Sequence, residues 1–255
     1  MKSKTTQVRS RFIKEALHIR KESLAADDPT LATTYNNIAA AYKSMNDESS
    51  ALTFYEKVLA IRLKKFAAED SSLATIYTSI ASLHYSMDHY SNTITYYKKA
   101  IEIREKSSSS DDLELATNYN NIAVAYSSIE DLTNALVFYE KAPKIRVQRL
   151  SSNDPSLASL YSNIASIHSS NGNKSASVEF YVKSLKIQET LPSPNYSSMS
   201  VMYYNAAMAY ESLQNYEAAL KHAERSVETA RLAFGSDHSE VKENQMLVDR
   251  LRNKI

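Results

Sequence analysis

The chain has 255 residues, 43% of them apolar, enough to bury a substantial core as one domain or two. Its 30 basic and 29 acidic residues nearly cancel, which argues against nucleic acid as a partner. It has no cysteine for a disulfide framework or thiolate metal site, and no run approaches the roughly 18 apolar residues of a membrane span.

One stretch organises what remains. Residues 31–42, Leu-Ala-Thr-Thr-Tyr-Asn-Asn-Ile-Ala-Ala-Ala-Tyr, return at 73–84, 115–126, 157–168 and, more worn, 199–210, each copy 42 residues after the last. A fixed period of this length marks a stacked helical-repeat array, in which each repeat buries its apolar face against its neighbours. The expected fold is an all-α, right-handed solenoid of about eleven antiparallel helices, and partner binding has a better claim on it than catalysis.

In chain order, residues 1–8 are polar and expected to be disordered. No apolar segment follows their charges, so they are no secretory signal, and a cytoplasmic location is expected. Residues 9–26 read as the second helix of a leading repeat whose first helix is missing, because 11–20 aligns with 53–62 at the same offset. Residues 27–236 then form five repeats. In the first, Tyr35, Ile38, Ala39 and Tyr42 make an apolar stripe of helical period, Asn46-Asp47 turns the chain, and Ala51, Tyr55, Val58, Leu59 and Ile61 line a second helix. Small Ala39 and Ala51 let the helices approach while the tyrosines fill the seam. The next three repeats reuse the plan, and the fifth has Ala223 where a tyrosine stood. Asp28-Pro29, Asp154-Pro155 and residues 192–195 supply N-cap chemistry, and the serine run at 107–110 reads as a loop. Residues 237–255 are expected to form a polar capping helix held by Val241, Leu247, Val248 and Leu251. Pro143 falls in the middle of a second helix, where a proline costs about 3 kcal/mol and a kink is expected.

The register Tyr35, Ala39, Tyr42, Ala51, Tyr55 and Val58 resembles the tetratricopeptide repeat, here lengthened by about one turn per helix. The long form, with Leu-Ala-Thr-x-Tyr-Asn-Asn-Ile-Ala and a closing Ala-x-x-Ile-Arg at 100–104 and 142–146, is similar to the repeats of kinesin light chain over about residues 10–236. That resemblance implies a cargo-binding module for adaptor peptides, and a motor or adaptor complex as its setting. The family's heavy-chain contact is an N-terminal heptad coiled coil, which has no counterpart in these residues.

With Tyr35 at zero on a wheel of about 100° per residue, Thr33, Asn37, Ala40 and Ser44 fall opposite the packed stripe. First helices line the concave wall of such solenoids, so this side is expected to face a groove. The register reads Asn37, Ser79, Asn121, Asn163, Asn205, and an asparagine offers both a donor and an acceptor to an extended peptide. The resemblance assigns peptide contact to Asn37, Asn121, Asn163 and Asn205. The alternative is that these amides join neighbouring helices or face water. A second series, Arg20, Arg62, Arg104 and Arg146, closes the second helices, and the resemblance gives Arg62, Arg104 and Arg146 a part in holding acidic peptides. Against that, an arginine in a last turn also offsets the helix dipole and pairs with nearby carboxylates. Lys43 is a further groove position basic in relatives, though its equivalents Tyr85, Ser127, Ser169 and Glu211 are not. The expected partner is thus a protein or peptide segment, with acidic preference weaker than the resemblance alone implies.

Two glycines make no phosphate-cradling loop, and the six histidines show no helical pairing that suggests zinc. His84 and His168 replace the Tyr42-type packing residue and read as core substitutions. No cofactor, metal or catalytic group is expected. Two other readings stay open: the non-catalytic repeat tail of a larger enzyme, and a self-associating structural module.

Overall fold

The computed structural model describes residues 28–65, 67, 70–107 and 112–255. The expected N-terminus at 1–8 and leading helix at 9–26 lie outside them, as does most of the serine run. The described residues hold eleven α-helices and no strand. They fall into two compact units, one ending at Ile129 and the other spanning Glu130–Ile255.

The first unit contains α1 (Pro29–Ser44), α2 (Glu48–Lys65), α3 (Ser71–Ser86), α4 (Tyr90–Lys106) and α5 (Asp112–Ser128). The second contains α6 (Leu132–Arg149), α7 (Pro155–Ser170), α8 (Lys174–Thr190), α9 (Tyr196–Ser212), α10 (Tyr216–Phe234) and α11 (Ser239–Arg252). Second helices α2, α4, α6, α8 and α10 begin at intervals of 42 residues, without slippage. Within the first unit α1 packs on α2 and α3 on α4, and each second helix also packs on the first helix that follows. The second unit repeats this from α6 to α11.

Local chemistry sets the boundaries. The carboxylates of Asp28, Asp70 and Asp154 accept hydrogen bonds from the backbone N–H two residues on, at 2.7, 2.8 and 2.8 Å, and so cap α1, α3 and α7. The side-chain oxygens of Asn173, Asn195 and Asn215 cap α8, α9 and α10 by accepting from the N–H three residues on. Pro29 and Pro155 open their helices where no N–H is needed. The turn inside each repeat needs one residue at positive φ, and it falls on the same register every time: Asn46, Asp88, Glu130, Gly172 and Gln214.

The seams close as the stripe predicts. Ala39, Ala81, Ala123, Ala165 and Ala207 are fully buried, and Tyr35, Tyr77, Tyr119 and Tyr203 nearly so. A ring from the second helix completes three of the seams: Phe54 stacks on Tyr42 at 5.6 Å, Tyr96 on His84 at 5.4 Å, and Phe180 on His168 at 5.6 Å. The two histidines therefore occupy tyrosine positions as packed rings. A cation lies over these rings, Lys57 over Tyr35 and Phe54, Lys99 over Tyr77 and Tyr96, Lys183 over Tyr161 and Phe180, and Arg225 over Tyr203. In the fifth repeat His222 takes the ring's place, its Nδ1 donating to the Ala218 carbonyl at 2.8 Å and its plane tilted 43° to Tyr210.

Two details go beyond the expectation. Pro143 does not end its helix: α6 runs through it from Leu132 to Arg149, with no N–H there to meet the Tyr139 carbonyl. The last helix sits in the register of a sixth first helix, Val241 matching Leu31, with Gln245 and Arg252 at the two tyrosine positions. Its apolar side, Val241, Leu247, Val248 and Leu251, is buried on the fifth repeat. Buried Asn244 fixes the docking, its amide donating to Ser200 Oγ at 3.0 Å and to the Ser226 carbonyl at 3.2 Å. Ser200 stands where the earlier repeats carry alanine, so the polar pair is particular to this end.

Candidate peptide-binding face

The side of each first helix opposite the tyrosine stripe is its solvent side. Asn37 is exposed, whereas Ser79, Asn121, Asn163 and Asn205 are half-buried. For Asn121 and Asn205 the reason lies in the preceding second helix. Asn121 lies against the hydroxyl of Tyr97, whose pKa burial pushes up to about 12 and this amide partly offsets. Asn205, with Ser166, does the same for Tyr181, whose pKa burial also raises. Asn121 Oδ1 further accepts from Asn120 Nδ2 at 3.2 Å. Asn121 and Asn205 thus spend part of their capacity on the neighbouring repeat.

The arginines turn toward the repeat that follows. Arg104 is only 6% exposed and forms an ion pair with Glu114, near the start of α5. Arg146 Nη1 donates to Ser156 Oγ at 2.5 Å, near the start of α7. Arg62 lies near the start of α3, where it adds to the hydrogen bonds from Ser72 that hold the Asp70 carboxyl below its usual range. The series therefore joins the end of one repeat to the start of the next, as last-turn cations suit. Lys43 is exposed on α1, its Nζ donating to Ser82 Oγ of α3 at 2.9 Å.

The structure brings Asn37 and Lys43 onto one face of the first unit with Thr33, Asn36, Thr75 and Ser79, and Asn163 and Asn205 onto one face of the second. It turns the arginines into the joints between repeats, where Arg104 Nη2 also reaches Thr75 Oγ1 of that face at 3.5 Å. Charge is divided in the same way. The five first helices contain four charged residues, Lys43, Asp112, Glu114 and Glu211, whereas each second helix carries five or six. Glu211 is itself bound by Arg250 and Lys254 at 2.7 and 2.8 Å. Sequence reasoning passed over Val201, Tyr204 and Met208 of α9, of which Val201 is exposed while Tyr204 and Met208 are half-buried against the core that α11 shares. The signal was present as apolar residues at the registers of Thr33, Asn36 and Ala40. Among the described residues, no three His, Asp or Glu side chains are grouped to hold a metal ion, and no helix is long and apolar enough to cross a membrane.

Helix pairs of this length, with small residues at Ala39 and Ala51 and tyrosines in the seams, define a helical-repeat protein. Tetratricopeptide-repeat profiles match residues 11–64 and 72–146, with related ones on 158–191 and 201–240. The chain belongs to the tetratricopeptide-repeat family. Comparison with curated protein sequences gives no match. Among solved structures, it is similar to BtubC (BKLC) from P. vanneervenii, at 19% identity and a TM-score of 0.71, covering 91% of this chain and 92% of that one. It is also similar to a putative kinesin light chain of Podosopora anserina with nearly identical repeats, at 20% identity and a TM-score of 0.67 over 81% of this chain and 98% of that one. A third, YrrB, is a repeat protein described as having an unusual peptide-binding site, at 18% identity and a TM-score of 0.62 over 92% and 97%.

Proposed function

We propose that the chain is a protein–protein interaction module in which the first helices of a unit form a wall that holds an extended peptide segment of a partner. The observation that carries this reading is the division of the surface. The first helices carry few charges through five repeats and keep an asparagine or serine at the Asn37 register in every one, while the charges gather on the second helices. Amides and hydroxyls at a repeated spacing suit the donors and acceptors of an extended backbone, whatever its side chains. Proteins of this family are in general non-catalytic scaffolds, and the peptide site ascribed to YrrB shows that a similar fold takes such ligands. A setting in a motor or adaptor complex, and a cytoplasmic location, are carried by the likeness to kinesin light chain.

Each hydrogen bond to the peptide contributes a net of about 1 kcal/mol, offset by the ordering of a flexible segment, so affinity near the micromolar range is expected. The test replaces Asn163 and Asn205 of the second unit together with alanine and measures capture of partners selected on the wild-type chain. A loss of about tenfold or more, with the circular dichroism of the folded chain unchanged, is the expected result. Undiminished capture would refute the assignment.

A further inference from the structure

On the first-helix face proposed above, a reading on which this rests, we infer that the second unit takes an uncharged extended segment bearing one large apolar side chain, which seats against Val201 and Tyr204. Along α7 the solvent side offers Ser159, Ser162, Asn163 and Ser166, all neutral and hydrogen-bonding. At the same registers α9 presents Val201, Tyr204, Asn205 and Met208. Three polar or small positions have become large and apolar in one repeat, while the asparagine between them is kept. The next first helix, α11, adds Met246 at the register of Tyr204.

Val201 is 49% exposed and Met246 64%. A single exposed apolar side chain calls for no account, but here they fall on the ligand registers of consecutive helices. Val201 and Tyr204 also line a pocket of about 310 Å³ with His238, Ser239, Glu240, Glu243 and Asn244. That is room for one large side chain, and an aromatic or branched one fills it at low entropic cost.

The charges around the pocket decide what the anchor's neighbours are. No lysine or arginine lines it, whereas Glu240 and Glu243 do. Glu240 is held by Ser200 Oγ at 3.0 Å, and Glu243 is exposed at the rim. An acidic residue beside the anchor would meet like charge with no cation to offset it. The acidic preference that Arg62, Arg104 and Arg146 suggested is absent here, because those side chains serve the joints between repeats.

The experiment selects binders from a random twelve-residue peptide library on the full chain and measures their affinity by fluorescence anisotropy at about 50 and 500 mM salt. The expected binders are uncharged around an aromatic or aliphatic anchor, with affinity changing less than about twofold between the two salts. On Val201→Asp, an exposed position whose folding circular dichroism verifies, they lose at least about tenfold. Acidic binders, or affinity falling about tenfold with salt, would overturn the inference. Binders weakened by Asn163→Ala but indifferent to both Val201→Asp and Tyr204→Ala would overturn the anchor and leave the first-helix face standing. Binders indifferent to all three variants, or a library that yields none, would remove that face and the anchor with it.

Discussion

Positive φ at the turn inside each repeat is met by glycine only once, at Gly172, while Gln214 holds φ at 59° with a full side chain. A non-glycine residue there costs about 1–2 kcal/mol, so Gln214→Gly should raise the stability of the second unit by about 1 kcal/mol, read as a shift in its denaturant midpoint. Asn244 makes the converse case. Removing its amide takes away the hydrogen bond donated to buried Ser200 Oγ and one of those on the Ser226 carbonyl, which keeps Thr229 Oγ1, so Asn244→Ala should cost about 1–3 kcal/mol and loosen α11 first, visible as faster amide exchange over Ser239–Arg252. Burial lowers the pKa of both His84 and His222 below the usual 6.5. The folded chain then binds these protons less readily than the unfolded one. Stability from this source is intact above pH 6.5 and falls as the pH drops below it. His84→Tyr, restoring the ring found at Tyr42 and Tyr126, should flatten that fall in the first unit as the pH drops below 6.5, read from denaturant midpoints across pH.

At the scale of the element, α6 shows a helix carried by its neighbours rather than by its own backbone. Pro143 removes one intrahelical hydrogen bond, yet buried Ala135, Tyr139 and Ala142 hold the helix in place. Pro143→Leu, the residue type of the matching positions 59 and 185, should restore about 3 kcal/mol of local stability. Hydrogen exchange along Leu132–Arg149 checks this, with protection rising most around residue 143. Element order and period were legible because the tyrosine and alanine registers are packing rules that every repeat obeys. The direction of the arginines was not, since a last-turn cation has the same spacing whether it meets a ligand or the next helix. Only the closeness of Arg104 to Glu114 and of Arg146 to Ser156 decides it. The pocket beside Val201 was hidden for another reason. In a worn repeat its residues read as drift, and its far wall comes from α11, whose place as a sixth first helix shows once Asn244 is seen docked.

Across the molecule, charge and seam chemistry are assigned to different helices. Second helices hold the lysines that lie over aromatic rings and the arginines that tie repeats together. First helices are left almost neutral, so a ligand lying on them gains little from ionic attraction and is read by hydrogen bonds and shape. Partner capture by the whole chain should therefore survive an increase in salt that would release an ionic ligand.

Hydrogen-exchange footprinting of the full chain, with and without a peptide selected on it, is the most direct measurement of where the ligand lies. The account predicts added protection over the first helices, in Pro155–Ser170 and Tyr196–Ser212 above all, with Lys174–Thr190 and Tyr216–Phe234 unchanged. Protection confined to those second helices would contradict it.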